Sequence, residues 1–478
     1  MKKVLFVNAP SCFDCYSGTR LNAVVQVYPV LAHAILAALA RQEGSEVRIL
    51  DLGIMAQWRK PLRDTLEEFK PDLVCMSGST PLIKEISEVS RFIREVTGPG
   101  PILAAGGPHP TALPEDTLRN SAFDMVVIGE GENPLRKLIG GTPFKDIPGV
   151  CYRDREEIIT VPGRLPVMEM DEIPFPALDL YELNRYAGCS RTVCRRSPVI
   201  SYMTSRGCVY NCSFCGKNIF GSKLRLRSPQ LVIEEISHLL RAGIREIRLI
   251  DDMFTTDMPR AKRICELIIQ SGLKFPWILA AGLRVDKMDL EFLKLAKRAG
   301  AYQVCLGFES GDQKSLDSVY KGTRVEDGFK AVELAKKAGL ETVGFFMFGL
   351  PADTEDSLKK TIAYAKKLSP TYAKVTVTVP LPGSALYEQY KNQGLLTAKN
   401  WEEYNLHLPR GVYRHPNLSA DTLEEYYNRF YSSFYLRPSY LLFMLWKAVK
   451  EGLVFEYARY GLQTFLPSVF RARSATRR

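Results

Sequence analysis

Only five of the 478 residues are histidine, and no two stand at a spacing that would pair them on a metal. Long apolar runs are also missing. The most apolar stretch, YLLFMLW at 440–446, is followed by Lys447 and Lys450, and nothing approaches the roughly 18 apolar residues of a membrane-crossing helix. No G-x-G-x-x-G follows the first strand-like run and G-K-S/T occurs nowhere, so neither a dinucleotide nor a nucleoside triphosphate is indicated. The amino terminus, MKKVLFVNAP, sets two lysines before a strand-length apolar run that lacks a small-residue cleavage site. It reads as a cytosolic protein without a signal peptide. In that compartment eleven cysteines, an odd number, argue against a disulfide framework and for thiols that bind metal or pack.

What is present is enough chain for two or three domains, with a hydrophobic content of 46% that excludes disorder as the default. The formal charge of +11 is spread along the sequence except at the carboxyl end, where residues 437–478 hold eight Lys/Arg against two Glu. Such an end could meet anionic lipid, nucleic acid or an acidic partner, or simply be solvated.

The pattern predicts an α/β protein. Over 1–140, five strand-like runs (KVLFVNA, EVRILDL, DLVCMSG, PILAAGG, DMVVIGE) alternate with helix-length segments, as in a doubly wound, Rossmann-like parallel sheet. Small or turn-forming residues follow several of these strands, and a ligand is expected along that edge. Residues 141–197 are Pro-rich and aperiodic and read as a linker. Six further strand-helix units over 198–385 (PVISYMTS, EIRLIDD, WILAAGL, AYQVCLGFE, TVGFFMFG, AKVTVTV) suggest a partial parallel (β/α)6 barrel with its chemistry at the strands' carboxyl ends. Residues 386–478 read as mostly helical, aromatic and basic.

Within TSRGCVYNCSFCGKN, Cys208, Cys212 and Cys215 are spaced C-x3-C-x2-C in a loop marked by Gly207, Asn211, Ser213 and Gly216. A closed structural zinc site needs four ligands, and no fourth partner is near in sequence. Three thiolates on a four-iron cluster instead leave one iron with an open position for a substrate or cosubstrate. Cys12 and Cys15 form a C-x2-C without a second pair, Cys189 and Cys194 lie in the linker, and Cys75, Cys265 and Cys305 fall inside strand or helix patterns, where packing is expected.

CVYNCSFC after the first strand of a six-unit barrel resembles the radical S-adenosylmethionine superfamily. The resemblance implies a 4Fe-4S cluster on the three cysteines. It implies S-adenosylmethionine chelated to the open iron, cleavage to a 5'-deoxyadenosyl radical, and an external electron donor of the flavodoxin or ferredoxin type. Position by position it places Phe214 beside the adenine, Asp251 and Asp252 near the methionine amino group, and Arg284 on the carboxylate. Glu309 falls on the ribose or amino group, and Gly349 of FMFGLP in the adenine-contacting fifth strand. LIDDMF departs from the Gly-Gly-Glu stretch that many relatives carry. Asp251 or Asp252 could also cap a helix, Arg284 could be a solvated cation, and Glu309 could merely end a strand.

The front domain resembles the cobalamin-binding domain that precedes the barrel in one large class of that superfamily, which includes carbon and phosphorus methylases and the anaerobic porphyrin cyclase. That resemblance lays Ser77, Gly78, Ser79 and Thr80, then Gly106, Gly107 and Pro108, then Gly129, Glu130 and Gly131 against the corrin and its nucleotide tail. D-x-H-x-x-G, which brings a histidine to cobalt in the methionine synthase type, is absent, and His33 and His109 are poor substitutes. The implied reaction uses S-adenosylmethionine twice, once to methylate cob(I)alamin and once to make the radical that opens an unactivated carbon. Alternatives are a radical cyclase or coupling enzyme acting on a lipid, porphyrin or other hydrophobic small molecule, a tRNA-modifying enzyme, and a non-catalytic electron carrier. No RNA-binding module is recognisable, so no nucleic acid partner is expected. FYLRPSYLLFMLWKAVKEG near the carboxyl end could rest peripherally on a membrane or cover the barrel's open side.

Overall fold

The computed structural model describes residues 2–10, 27–187, 191–404 and 411–465. Cys12, Cys15 and Cys189 lie outside the described residues. The front sheet holds β1 (Lys3–Asn8), β2 (Glu46–Asp51), β3 (Leu73–Ser77), β4 (Ile102–Gly106), β5 (Met125–Val127), β6 (Val150–Asp154) and β7 (Glu157–Thr160), in the order β2-β1-β3-β4-β5-β6-β7. The first five are mutually parallel, and apolar clusters cover both faces of the sheet. Two-sided burial is why these strands read as continuous apolar runs.

The segment expected to be a linker is more structured than its sequence suggests. β6 pairs antiparallel with β5, and β7 with β6, so the front sheet runs on past residue 141. After them, the backbone carbonyls of Met168, Met170 and Ile173 accept hydrogen bonds from Arg225 and Arg227 of the second domain. Prolines hid this segment's role, because it is fastened by arginines far along the chain and not by a pattern of its own.

In the second domain β8 (Val199–Tyr202) leads to a small antiparallel pair, β9 (Ser205–Arg206) and β10 (Arg225–Leu226). β11 (Glu246–Leu249), β12 (Trp277–Arg284), β13 (Ala301–Glu309), β14 (Glu341–Phe348) and β15 (Tyr372–Val377) complete an all-parallel sheet with β8, in chain order. All six expected strands are present. The outer edge of β15 is closed by the helix Ala420–Tyr435: the Tyr431 hydroxyl donates to the Val375 carbonyl and accepts from its N–H, and Tyr435 does the same at Ala373. An open edge strand is thereby protected from pairing with another chain.

Candidate active site

Both domains present the carboxyl ends of their strands to each other. On the barrel side that rim carries the cysteine loop after β9, Asp251 and Asp252 after β11, Arg284 at the end of β12, Glu309 at the end of β13 and Gly349 after β14. Every candidate S-adenosylmethionine position thus lies on one edge, although they span 142 residues of sequence from Cys208 to Gly349.

The loop's entry is set by Gly207, whose φ is +91° and where a Cβ would come within 2.2 Å of the Lys223 carbonyl oxygen, so only glycine fits. Further on, Ser213 N–H donates to the Val319 carbonyl and the Ser213 carbonyl accepts from Leu386 N–H, which ties the loop to two later segments. Cys208, Cys212 and Cys215 are free thiols. Burial raises the Cys212 thiol against the opposing charge of Lys321, and Glu309, Arg284 and Cys208 act on it as well. Cys215 in turn feels Cys208, Cys212 and Asp252. Among the described residues no three Cys, His, Asp or Glu side chains are already gathered at ligating distance. The donor set still fits a thiophilic cluster: three thiols on one loop, with the buried cations Lys321 and Arg284 opposing the effect of burial at Cys212.

The surrounding polar groups have definite tasks. Asp251 is 1% exposed, and its carboxylate accepts from Thr204 N–H (2.7 Å), Thr204 Oγ1 (2.6 Å) and Ser205 Oγ (2.6 Å). It braces the strand leading into the loop and caps no helix, since the helix Met258–Gln270 is capped by Asp257. Asp252 is exposed and accepts from Gly207 N–H at 3.0 Å. Arg284 is far from solvated: it is 5% exposed, donates to Asp286 and to the Lys321 and Gly322 carbonyls, and lies 3.8 Å from the Tyr210 ring centre. Tyr210 belongs to the cysteine loop, so this cation–π contact joins loop to barrel.

Glu309 accepts from Lys321 Nζ at 2.6 Å, both side chains being buried. Its φ of +59° sits beside a register shift in the β13–β14 pairing, a backbone conformation that non-glycine residues hold only where the surroundings compel it. Gly307 makes room, since a Cβ there would meet Glu309 Oε1 at 2.6 Å and Lys321 Nζ at 3.1 Å. Lys321 and Tyr210 were missed in the sequence, the first because it sits in an unpatterned loop, the second because a motif's intervening residue carries no charge signal. Phe214 packs with the apolar group around Leu386 and Tyr413, and Gly349 lies under Tyr413. Those two candidates share one apolar corner.

On the front domain a cavity of about 270 Å³ is rimmed by Ser77, Gly106, Gly107, Pro108, Gly129, Glu130 and Gly131. Gly107, at φ +96°, lies so close to the neighbouring loop that a Cβ would meet Ser77 Oγ at 2.6 Å and the Gly78 carbonyl at 2.9 Å. Gly78 N–H donates to the Gly106 carbonyl, which makes the two loops one rim. Such bare backbone edges, with the buried and unpartnered ring nitrogens of His33 in the cavity wall, fit a large flat cofactor with a tail. Thr80 is turned away, buried with its hydroxyl against His109 Nδ1 at 3.1 Å. Cys75, expected to pack, lines the cavity.

Glu130 has its carboxylate oxygens occupied by Arg206 (2.5 Å) and Arg225, while Glu132 takes the other nitrogen of Arg206 at 2.8 Å. These four buried side chains join the front rim to the residue preceding Gly207. Asn218, just past the cysteines, adds a hydrogen bond to the Pro108 carbonyl at 2.7 Å.

Between the rims lies a larger cavity of about 490 Å³, bounded by Ser77, Ser79 and Pro108 on one side and Ser201, Met203 and Ile250 on the other. Its wall is mostly apolar and includes Glu235, whose carboxylate accepts from the Tyr202 hydroxyl at 2.8 Å and lies 3.0 Å from Arg227 Nε. Burial outweighs Arg227 and pushes Glu235 up from 4.5 to about 7. Because the folded value is above the unfolded one, the stability it contributes is full below pH 4.5 and declines as pH rises through about 7. Glu235→Gln should flatten that decline; urea midpoints at about pH 5 and about pH 8 that differ as much in the variant as in the parent would refute the shift.

Residues 202–365 match the family model for the Radical SAM superfamily, and residues 19–139 match that for the B12 binding domain. An uncharacterized methyltransferase of Pyrococcus horikoshii is 32% identical over 441 residues, covering 91% of this chain and 93% of its own length. The cytidylyl-2-hydroxyethylphosphonate methyltransferase of Streptomyces wedmorensis is 27% identical, over 87% of this chain and 86% of its own. In fold, the chain is similar to the radical S-adenosylmethionine methyltransferase TsrM from Kitasatospora setae, solved with cobalamin and an iron-sulfur cluster bound, with a TM-score of 0.66 at 22% identity over 83% of this chain and 79% of that one. With a Radical SAM match over its barrel, a B12 binding match over its front domain and a relative 32% identical along nearly its whole length, the chain belongs to the cobalamin-binding radical S-adenosylmethionine enzymes.

Proposed function

We propose that this enzyme methylates an unactivated carbon or phosphorus of a largely apolar small molecule bound in the 490 Å³ cavity. The observation that carries this reading is the cavity's position: one wall is the front domain's strand-end rim and the other the barrel strand ends beside Arg206, the residue that leads into the cysteine loop. When bound, the cluster with S-adenosylmethionine would supply a carbon-centred radical and cobalamin a methyl group, chemistry no side chain can perform on a strong C–H bond. The chain's residues bind and shield. Cys208, Cys212 and Cys215 would hold the cluster; Asp252, Arg284, Glu309, Phe214 and Gly349 would hold S-adenosylmethionine, with Lys321 orienting Glu309. Val30, Leu31, Ile35 and Leu82 line the cavity's apolar wall, and Glu235 with Arg227 offers a charged anchor. Electrons would come from an external flavodoxin- or ferredoxin-type donor.

Anaerobic reconstitution with iron, sulfide, reductant, S-adenosylmethionine and hydroxocobalamin is expected to give protein that retains corrin absorbance through gel filtration. Turnover should release 5'-deoxyadenosine and S-adenosylhomocysteine together, with a product heavier by one methylene. Deoxyadenosine alone, with a product that has lost hydrogen, would instead identify a cyclase or coupling enzyme, and loss of the corrin on the column would sink the methylase reading.

The helices Pro438–Glu451 and Val454–Phe465 support a peripheral contact as well. Leu442, Leu445, Trp446, Val449 and Phe455 are each more than half exposed, with Phe455 at 89%, and Lys450 Nζ stands 4.8 Å from the Trp446 ring centre. No described helix is long and apolar enough to cross a membrane. An apolar patch in the sequence segment richest in Lys and Arg complements an anionic lipid surface, from which an apolar substrate could be drawn. Sedimentation with vesicles containing phosphatidylserine should pellet the parent and leave the double variant Leu442→Ser/Phe455→Ser in solution; equal pelleting would remove the membrane from the account.

A further inference from the structure

The front cavity has a wall that contact with a corrin ring does not explain. Behind the glycine rim it continues between the sheet and the helices Leu31–Gln42 and Glu132–Ile139, where it is lined by Phe6, Leu36, Val127, Leu135 and Leu138. His33 belongs to the wall of this apolar space, 1% exposed, with the Phe6 ring centre 5.8 Å away. Neither of its ring nitrogens has a hydrogen-bond partner among the described residues. Burial lowers its pKa to about 4, so the imidazole is neutral, with one N–H and one lone pair. An unanswered donor in an apolar site costs free energy that a bound ligand with an acceptor would recover.

We propose that His33 reads the base at the end of the corrinoid's nucleotide tail, donating its N–H to the ring nitrogen of a benzimidazole-type base and so selecting nitrogenous over phenolic tails. The inference rests on the cobalamin reading above. A cavity of about 270 Å³ is too small for the corrin ring but takes a bicyclic aromatic base, whose faces meet Phe6 and the aliphatic wall. A base seated there is detached from cobalt, so its nitrogen lone pair is free to accept. The missing D-x-H-x-x-G agrees with this division: His33 serves the tail and leaves cobalt alone.

The test is equilibrium binding of three corrinoids to the full chain, followed by corrin absorbance: cobalamin, a cobamide whose tail ends in p-cresol, and tail-less cobinamide. Wild-type protein should bind cobalamin about tenfold or more tightly than the cresol form, the scale of one unpaired buried donor. His33→Phe should bring the two within about twofold, while His33→Gln, which retains an N–H, should keep a preference. A cobalamin preference that survives unchanged in His33→Phe, or a wild type that does not discriminate, overturns the assignment alone, the second without relying on any variant. Wild-type protein that binds none of the three overturns the cobalamin reading and this inference with it.

Discussion

Replacing Cys208, Cys212 or Cys215 by alanine is expected to leave a protein that assembles no four-iron cluster and makes 5'-deoxyadenosine at less than about a hundredth of the parent rate. Changes to the outer shell of metal sites already cost about 10–100-fold, and loss of a ligand removes more. No neighbouring group can substitute. Of the acids acting on these thiols, Asp252 is a hard oxygen donor engaged with Gly207 N–H and Glu309 is paired with Lys321, while Lys321 and Arg284 are cations. Cys265→Ala and Cys305→Ala are the controls, because both thiols are buried in helix or strand packing with pKa values raised by burial. They should keep the cluster, measured by iron and sulfide content and by the visible absorbance of the reconstituted protein. A loop variant that still produced deoxyadenosine would refute the assignment.

Arg206→Met should produce the second large effect, a loss of about 3–5 kcal/mol in stability. The guanidinium sits between Glu130 and Glu132, with all three side chains under 10% exposed, so its removal leaves Glu132 buried without a counter-charge. Glu130 keeps Arg225. Buried ion pairs add little over a well-packed apolar replacement, yet breaking one from a single side is expensive, because the orphaned charge remains. Restoring neutrality with Arg206→Met/Glu132→Gln should therefore recover much of the loss. Urea unfolding would measure both, and a double variant no better than the single would argue against this cause. Exposed Lys60–Asp64 provides the contrast, where Lys60→Ala should cost under about 1 kcal/mol. Since Arg206 immediately precedes Gly207, its loss should also weaken corrin binding, by loosening the front rim from the cysteine loop.

Much of the architecture was legible because it repeats. Eleven parallel strands of the two sheets carry apolar runs long enough to stand out, and the six barrel strands pair in chain order, as alternating strand-helix units require. β6 and β7 were hidden among prolines, since a short edge hairpin with one exposed face has a weak signal. Motif residues located the cluster loop and the rim positions. Their duties were less readable: Asp251 and Glu130 look alike as acidic residues at strand ends, but one braces Thr204 and Ser205 and the other joins two domains through arginines. Lys321 and His33 carry no spacing signature whatever.

By itself the sequence determined the family, the two parallel sheets and the three thiols that would hold the cluster, because C-x3-C-x2-C and strand periodicity are local properties of the chain. Only the tertiary structure decided which charges are already paired, that a cavity lies between the two rims, and that a lone histidine faces an apolar pocket. Those are matters of burial and of contact between residues tens to hundreds of positions apart, and they exist only once the two domains have folded against each other.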